Sequence, residues 1–270
     1  GGSVNLTTRN ILGVSGAGSN NIVNPFGFAR NLGSIYPVYV VDNNGDVVLD
    51  DAEKPVYDFG EGHPDFGIQS RPYSPGRHAI AEAIFNEDLD RDNDLGFRLY
   101  SSFNLTEDLK ITINYAQDIQ DEINKRYENN IVGDGAPTGR YRETRFRRVV
   151  ENFNQIIYFN KSFSDLHNFD LTLGHESFDR NYSQNFALAN TQTAEGIFEF
   201  DNFSVISSLT GYTSDKRTEG YFGRLNYNFN NKYFLSASAR RDGTSVFDSD
   251  VRWGNFYSIG GAWLIEKEGF

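Results

Sequence analysis

Hydrophobic and polar residues alternate with a period of two along much of the chain, most clearly over residues 219–243. Leu225, Tyr227 and Phe229 alternate with polar residues up to the turn NNK at 230–232, and the alternation resumes at Tyr233. A period of two places successive side chains on opposite faces of a β-strand. We therefore predict an antiparallel hairpin with one apolar, aromatic face and one polar face.

The same unit recurs in two other places. LGFRLYSSFNL and LKITINYAQD flank one short turn, and FNQIIYFNKSF and FDLTLGHES flank a second. A last alternating stretch, WGNFYSIGGAWLI, lies near the end of the chain. Aromatic residues make up 15% of the chain and favour strands, so we predict an all-β protein with its strands in residues 95–270.

The predicted connections are unequal in length. Turns inside each hairpin are short, whereas polar stretches at about 119–149 and 179–218 are expected to be long connections. Strand extensions are the alternative for parts of these stretches, for example GIFEFDNFSVISSLTGY. Short turns at one end and long loops at the other are typical of an outer-membrane barrel. A soluble β protein with a one-sided core is the alternative, because alternation alone does not separate the two. The asymmetry favours an antiparallel transmembrane β-barrel with long extracellular loops.

Residues 1–94 are predicted to form a loop-rich extracellular region. The exception is a small hairpin at 36–49, which turns at Asn43-Asn44-Gly45. Glycine, proline and asparagine interrupt most of the remaining stretch and disfavour regular strands there.

The barrel interpretation assigns the two faces of the 219–243 hairpin to two environments. The apolar face would meet lipid and the polar face would line the lumen. The lipid-facing set is Leu225, Tyr227, Phe229 and Leu235. The lumen-facing set is Arg224, Asn226, Ser236 and Arg240.

Composition narrows the classes of function. The formal net charge is −12, which disfavours binding to nucleic acid because the chain repels phosphate overall. No run of about 18 apolar residues is present, so a transmembrane helix is not predicted. Cysteine is absent, which excludes disulfides and thiolate chemistry, and the absence of methionine indicates a processed chain or an internal segment.

Catalytic and cofactor motifs are not apparent. The four histidines, at 63, 78, 167 and 175, are scattered without metal-ligand spacing, so we predict neither an enzyme nor a cofactor. Asp88, Asp90 and Asp92 have the odd-position spacing of a calcium loop. An EF-hand needs glycine and glutamate at the positions that Asn93 and Leu99 occupy here, so the three aspartates are only a weak candidate for a calcium site. The alternative is a solvated acidic connection just before a strand.

The expected connection around residues 122–148 is rich in arginine and aromatic residues. Aromatic rings can stack on sugars or peptide side chains, and guanidinium groups can bind carboxylates. We therefore take Tyr127, Arg140, Tyr141 and Arg142 as candidate substrate-binding residues. Packing of these side chains against neighbouring loops is the alternative.

Several motifs resemble the middle of the barrel in SusC/RagA-family TonB-linked outer-membrane proteins. They are NPFGFARNLGSIYPVY, NIVGDGAPTGR, TEGYFGRLNYNFNNKYFLSASARRDGTSVF and RWGNFYSIGGAWLIEKE. The resemblance covers nearly the whole chain and is strongest from Glu219 to Glu268.

This resemblance implies a multi-pass TonB-dependent transporter in the outer membrane of a Bacteroidota-type bacterium. Its barrel would have about 22 strands and a plugged lumen, and this chain would be a partial barrel. Partners implied are a SusD-like lipoprotein lid, the TonB complex, outer-membrane lipid and lipopolysaccharide. Neither the plug domain nor the TonB-interacting segment has a match in this chain.

The implied function is the import of a bulky nutrient, either an oligosaccharide or a peptide. The sequence does not indicate which of these is the substrate, because loops carry such specificity. A non-transporting surface β domain that binds glycans is the alternative from a different functional class.

Overall fold

A computed structural model describes residues 1–13, 24, 27, 30 and 36–269. Eight strands form one antiparallel sheet, and each strand pairs with its neighbour in sequence. The strands are β1 (Gly2–Leu12), β2 (Glu87–Asn104), β3 (Leu109–Glu128), β4 (Arg140–Phe163), β5 (His167–Gln192), β6 (Phe203–Phe229), β7 (Tyr233–Thr244) and β8 (Trp253–Trp263). The sheet is open, because β1 and β8 are its two edges. No described helix has the length and apolar character needed to cross a membrane.

The hairpin predicted at 219–243 is confirmed. Strands β6 and β7 pair with Phe229 opposite Tyr233, and residues 230–232 make the turn between them. Asn230 and Asn231 have φ angles of 52° and 49°, in the left-handed region that asparagine tolerates better than most residues. A tight reversal at this position is therefore built into the sequence.

The connections are short at one end of the sheet and longer at the other. Residues 105–108, 164–166 and 230–232 join strands at the short-turn end. At the opposite end, residues 129–139, 193–202 and 245–252 join β3 to β4, β5 to β6 and β7 to β8. We call these the short-turn end and the long-loop end.

The prediction of long loops at about 119–149 and 179–218 is wrong in extent. Most of these residues continue strands β3, β4, β5 and β6, which contain 20, 24, 26 and 27 residues. About 9–11 residues are enough for a tilted strand to cross the hydrocarbon layer. The strands thus extend far beyond one membrane thickness, and outside the hydrocarbon layer a strand can carry polar side chains on both faces.

The first 94 residues contain more regular structure than expected. Strand β1 occupies Gly2–Leu12, and β2 begins at Glu87, before the residue 95 where the first strand was predicted. Most of the Gly/Ser/Asn-rich stretch at 13–21 lies outside the described residues. The segment 36–86 contains isolated β-bridges, a 3-10 helix at Pro64–Phe66 and one short α-helix, α1 (Ala79–Phe85). We call this segment the loop domain.

The loop domain is organised around Val40, which has 0% exposure. The predicted hairpin is present at its start, with Val41 bridged to Val47 across the turn. The amide of Val40 donates to Val56, that of Val48 donates to Val40, and that of Val56 donates to Val48. This closed set of three hydrogen bonds satisfies the backbone of three short segments without a regular sheet.

Candidate functional site

Each strand of the sheet presents one apolar and one polar row of side chains over the half nearer the short-turn end. Antiparallel partners point to the same face, so the register extends these rows across the whole sheet. The apolar face carries, among others, Val4, Leu6, Phe97, Leu99, Ile111, Ile113, Phe153, Ile157, Leu171, Leu173, Leu225, Leu235 and Ile259. The polar face carries, among others, Arg98, Ser102, Thr112, Asn114, Asn152, Asn154, Asp170, Thr172, Arg224, Asn226, Ser236, Ser238 and Ser258.

The residues that the sequence assigned to two environments lie on two different faces. Arg224, Asn226, Ser236 and Arg240 are on the polar face. Their apolar counterparts, Leu225, Tyr227, Phe229 and Leu235, are on the other face. The register thus agrees with the partition by sequence, and which face meets lipid remains a prediction.

A groove of about 950 Å³ lies on the polar face near the short-turn end. Arg224, Asn226 and Ser236 all line it, together with Asp170 and Asn228. The Arg224 Nε donates to the Asn226 Oδ1 at 3.2 Å, and the Asn168 Nδ2 donates to the Asn228 Oδ1 at 3.0 Å. Amide and guanidinium groups therefore offer a wall of hydrogen-bonding sites to a polar molecule.

A second groove, of about 700 Å³, lies further along the polar face and contains Arg240. The Arg240 guanidinium pairs with Glu176 and, at 2.7 Å, with Asp242. Its Cζ atom lies 5.5 Å from the ring centroid of Phe222. These contacts hold the charge of Arg240 at a fixed place in the groove. The sequence analysis missed both acidic partners, although Asp242 lies two residues after Arg240 on the same strand face and could have been identified by alternation.

Aromatic rings border the apolar face on both sides. Near the short-turn end, Tyr233 stacks on Phe229 and Trp263 with centroid distances of 6.3 and 6.2 Å. On the other border, Tyr221 lies 4.7 Å from His175 and 6.3 Å from Trp253. Rings placed at two levels around an apolar band match the aromatic girdles of membrane barrels.

The candidate substrate-binding residues were expected in a loop. They lie in strands β3 and β4, so the predicted location is wrong. Tyr127 and Tyr141 face each other across β3 and β4 and are buried, with 6% and 1% exposure. Arg140 and Arg142 point to the opposite face. The four side chains therefore do not converge on one ligand site, and a role in binding substrate stays a prediction.

The two tyrosines belong to an aromatic cluster at the long-loop end. Tyr127 lies 4.4 Å from Phe198, and Tyr141 lies 4.7 Å from Phe200 and 5.7 Å from Phe203, measured between ring centroids. Residues 193–202 thereby fold back over this side of the sheet. Burial raises the pKa of Tyr141 well above its usual value, which fits a ring held in an apolar environment.

The weak calcium candidates also lie in a strand and not in a loop. Asp88, Asp90 and Asp92 follow one another along one face of β2, where alternate residues lie about 6–7 Å apart. Arg9 pairs with Asp92, and Asn124 donates to Asp90. Within the described residues, no group of three His, Asp or Glu side chains is arranged to hold a metal ion.

A chain of alternating charges fastens the loop domain to β3 and β4. Arg77 pairs with Glu82 at 3.0 Å and also with Asp134, which is 3.6 Å from Arg140. Arg140 in turn pairs with Glu128. Burial is the main cause of a raised pKa at Glu82 and of a lowered pKa at Arg140. Each charge in this chain therefore depends on its partner to offset the loss of hydration.

Substituting Glu82→Gln is expected to reduce the pH dependence of the stability of the loop domain. A raised pKa means that folded protein holds the Glu82 proton more tightly, so its contribution to stability falls as pH rises from the ordinary value through the raised one. The Gln variant is expected to lose this dependence on pH and to lower the free energy of local unfolding by about 1–3 kcal/mol at pH 7, because Arg77 loses a buried charged partner. Hydrogen exchange of α1, corrected for intrinsic rates at each pH, measures both quantities.

Glu61→Gln is the matched control, because Glu61 is exposed in the same domain. The Glu61→Gln variant is expected to show the same change of local stability with pH as wild type. An unchanged slope in the Glu82→Gln variant would contradict the role of the buried carboxyl group.

The sequence has relatives among TonB-dependent receptors. It is 27% identical over 218 residues to the TonB-dependent receptor SusC of Bacteroides thetaiotaomicron, covering 78% of this chain and 21% of that receptor. A TonB-dependent receptor of Formosa agariphila is 37% identical over 92 residues, covering 33% of this chain and 9% of that receptor. No family model matches the chain.

Solved structures show the same fold. The structure of the RagAB peptide transporter superposes with a TM-score of 0.63 at 19% identity, covering 81% of this chain and 23% of the matched chain. The structure of the RagAB peptide importer in its open-open state superposes with a TM-score of 0.62 and covers 84% of this chain. The fold is therefore that of a transporter barrel, here present as an open segment.

The resemblance seen in the sequence is confirmed by these relatives, which are receptors and transporters and not enzymes. The chain is a relative of SusC-type TonB-dependent receptors and has an outer-membrane location. It spans about a fifth of the length of SusC and about a quarter of the matched transporter chain.

Proposed function

We propose that this chain is part of the barrel wall of an active importer that carries a bulky nutrient, an oligosaccharide or a peptide, across the outer membrane. The observation that carries the proposal is the continuous separation of apolar and polar rows across all eight strands. Lipid covers the apolar face, and cargo passes along the grooves of the polar face. The short-turn end is periplasmic and the long-loop end, with the loop domain, is extracellular.

The remaining parts of the importer lie in the rest of the protein and in its partners. A SusD-like lipoprotein closes the extracellular mouth, and the TonB complex supplies energy through a segment that is not among these eight strands. The similarity to a RagAB peptide transporter and to the TonB-dependent receptor SusC supports this arrangement. Both edge strands pair with further barrel strands, since unpaired backbone groups are costly in lipid.

The alternative, a soluble surface domain that binds glycans, is disfavoured by the exposed apolar face. Tyr257 and Ile259 on β8 are 78% and 81% exposed, and no described segment covers the band of which they are part. Exposed apolar patches of this extent mark a surface that contacts lipid or another protein.

Cysteine labelling of the intact protein in its membrane tests the assignment of the faces. The chain has no cysteine, so single cysteines at positions 224, 226 and 236 can be compared with neighbours at 225, 227 and 235. A charged thiol reagent that does not enter lipid is expected to label the first group and not the second. Labelling in denaturant is the control for reactivity, and the reverse pattern in the membrane would contradict the proposed orientation.

Import and the lid are tested separately in cells. Uptake of cargo is expected to stop when TonB is deleted, and the lipoprotein is expected to co-purify with the intact importer from detergent-solubilised outer membrane. Uptake that persists without TonB would contradict the energy source, whereas repeated isolation without a lipoprotein would contradict only the lid.

A further inference from the structure

A row of three aromatic rings crosses the polar face beyond the apolar band, in the extensions of β4, β5 and β6. Tyr182 lies between the other two, 5.8 Å from Phe146 and 5.7 Å from Tyr212 by ring centroids. Tyr212 is 57% exposed, and the other two rings are half-buried. We call Phe146, Tyr182 and Tyr212 the aromatic row.

The aromatic row is outside the membrane-crossing part of the sheet. Tyr182 lies about 50 Å along β5 from the start of that strand at His167, at roughly 3.3 Å per residue. The apolar band of an outer-membrane barrel is only about 25 Å tall. In the proposed orientation these rings therefore line the extracellular approach to the lumen.

Three cations lie beside the aromatic row on the same face, and we call Arg148, Arg180 and Lys216 the basic patch. Arg148 is directly opposite Tyr182, and Arg180 is directly opposite Lys216. Like charges opposite each other on a sheet destabilise it, so this pairing carries a cost to folding. A ligand of opposite charge would offset that cost.

None of the three cations has an acidic partner within the described residues. Arg148 donates to the side-chain oxygen of Gln120, and the Nε of Arg180 is enclosed without a hydrogen-bond acceptor. Of the neighbouring carboxylates, Asp118 pairs with Arg98 at 3.7 Å. Glu122 is opposite Phe146 and lies between Asp92 and the aromatic row without an ion pair to the basic patch. In a chain with a net charge of −12, three neighbouring cations that make no ion pair among the described residues point to an anionic ligand.

The position in the sheet decides how such a ligand is held. The backbone groups of β5 around Arg180 and Tyr182 pair with β4 on one side and with β6 on the other. A peptide could not add as a further strand here, since strand addition needs a free edge. Recognition is left to ring faces, which suit the apolar faces of sugar rings, and to cations, which suit acidic substituents.

We propose that the aromatic row and the basic patch bind an acidic oligosaccharide, one whose sugars carry carboxylates or sulfates, before it enters the lumen. The rings stack on successive sugars, while Arg180 and Lys216 neutralise the acidic groups. This inference rests on the proposed function, because cargo meets these residues only if the polar face lines the transport path.

Binding to the intact importer in detergent, measured by calorimetry, tests the proposal. The probes are hexagalacturonate, neutral maltohexaose and hexaglutamate. Hexagalacturonate is expected to bind at least about tenfold more tightly than either of the others at low salt. Its affinity is expected to fall as salt rises from roughly 50 to 300 mM, because the contacts are ionic and accessible to water.

Two variants distinguish specific binding by the basic patch from a general effect of the positive charge of the protein. The double variant Arg180→Gln, Lys216→Gln is expected to weaken hexagalacturonate binding about tenfold or more and to flatten its salt dependence. Arg145→Gln is the matched control, since Arg145 makes no ion pair with the part of the chain that the structure describes and lies on β4 with its side chain on the opposite face. It is expected to bind as wild type does.

The remaining outcomes overturn the inference. Equal binding of maltohexaose would exclude a role for the acidic groups, and equal or tighter binding of hexaglutamate would identify an acidic peptide as the ligand. Unchanged binding by the double variant would show that the basic patch is not the site. The cysteine-labelling experiment distinguishes failure of this inference from failure of the proposed function. If the binding tests fail but positions 224, 226 and 236 are labelled as expected, the proposed import function stands and only the ligand site is wrong. If the labelling pattern is reversed, the proposed function is contradicted as well.

Discussion

Replacing Leu225 with arginine is expected to lower the free energy of unfolding by about 2–4 kcal/mol, the cost of a basic side chain on the lipid face near the middle of the membrane. Leu225 lies between Leu171 on β5 and Ala237 on β7, in the centre of the apolar face. No acidic side chain is directly opposite it in either pair. The charge would therefore enter lipid without a partner.

Urea unfolding of the intact protein in lipid vesicles, followed by tryptophan fluorescence, measures this cost. Asn226→Arg is the matched control, because Asn226 is the next residue along β6 and lines a polar groove. It is expected to stay within about 1 kcal/mol of wild type, since substitutions in the lumen leave the lipid contact unchanged. Equal destabilisation by both variants, or a larger effect at position 226, would contradict the assignment of faces.

Replacing Tyr141 with alanine is expected to destabilise the long-loop end by about 3–5 kcal/mol, the usual cost of removing a large aromatic ring from a packed site. The ring is 1% exposed and contacts Phe200 and Phe203. Its loss leaves a cavity beneath residues 193–202. This segment would then be released from the sheet, while the membrane-crossing half keeps its own contacts.

Limited proteolysis within residues 193–202 and hydrogen exchange at the ends of β3 and β4 detect this local release. Tyr141→Phe is the control, because it keeps the ring and removes only a hydroxyl whose nearest acceptor, on Glu143, is 3.5 Å away. The control is expected to resist proteolysis as wild type does. If Tyr141→Ala were equally resistant, the aromatic cluster would not be what holds this segment in place.

These two substitutions address different sources of stability in one sheet. In the proposed orientation lipid surrounds Leu225, so an apolar side chain there is stable without a protein core. At Tyr141 the strands have left the membrane, and apolar side chains must be buried by other parts of the chain. Both kinds of stabilisation, by lipid and by protein packing, occur along single strands such as β4. This strand contributes Ile157 to the apolar face and Tyr141 to the aromatic cluster at the long-loop end.

Local patterns predicted the face of each residue and failed mainly on the extent of strands. Residues 119–128 and 140–149 were expected in a loop because they are rich in charge, yet they continue β3 and β4. In water, both faces of a strand can be polar, so hydropathy gives no period there. The strand β1 was missed because its alternation is short: Val4 and Leu6 share a face, but the next residues on that face, Thr8 and Asn10, are polar.

The sequence by itself determined which side chains share a face and where the tight turns lie. Successive side chains of a strand point in opposite directions whatever their neighbours are, so Leu225 and Asn226 are separated by backbone geometry alone. Asparagines at 230 and 231 likewise permit a reversal locally.

Only the tertiary structure decided which charges and rings meet. Arg240 pairs with Glu176 across 64 residues of chain, and Arg180 lies opposite Lys216 because β5 and β6 have one particular register. Such contacts depend on the order and alignment of strands, and a shift of one residue would send every side chain to the other face. The grooves and the basic patch follow from that alignment, which no local pattern specifies.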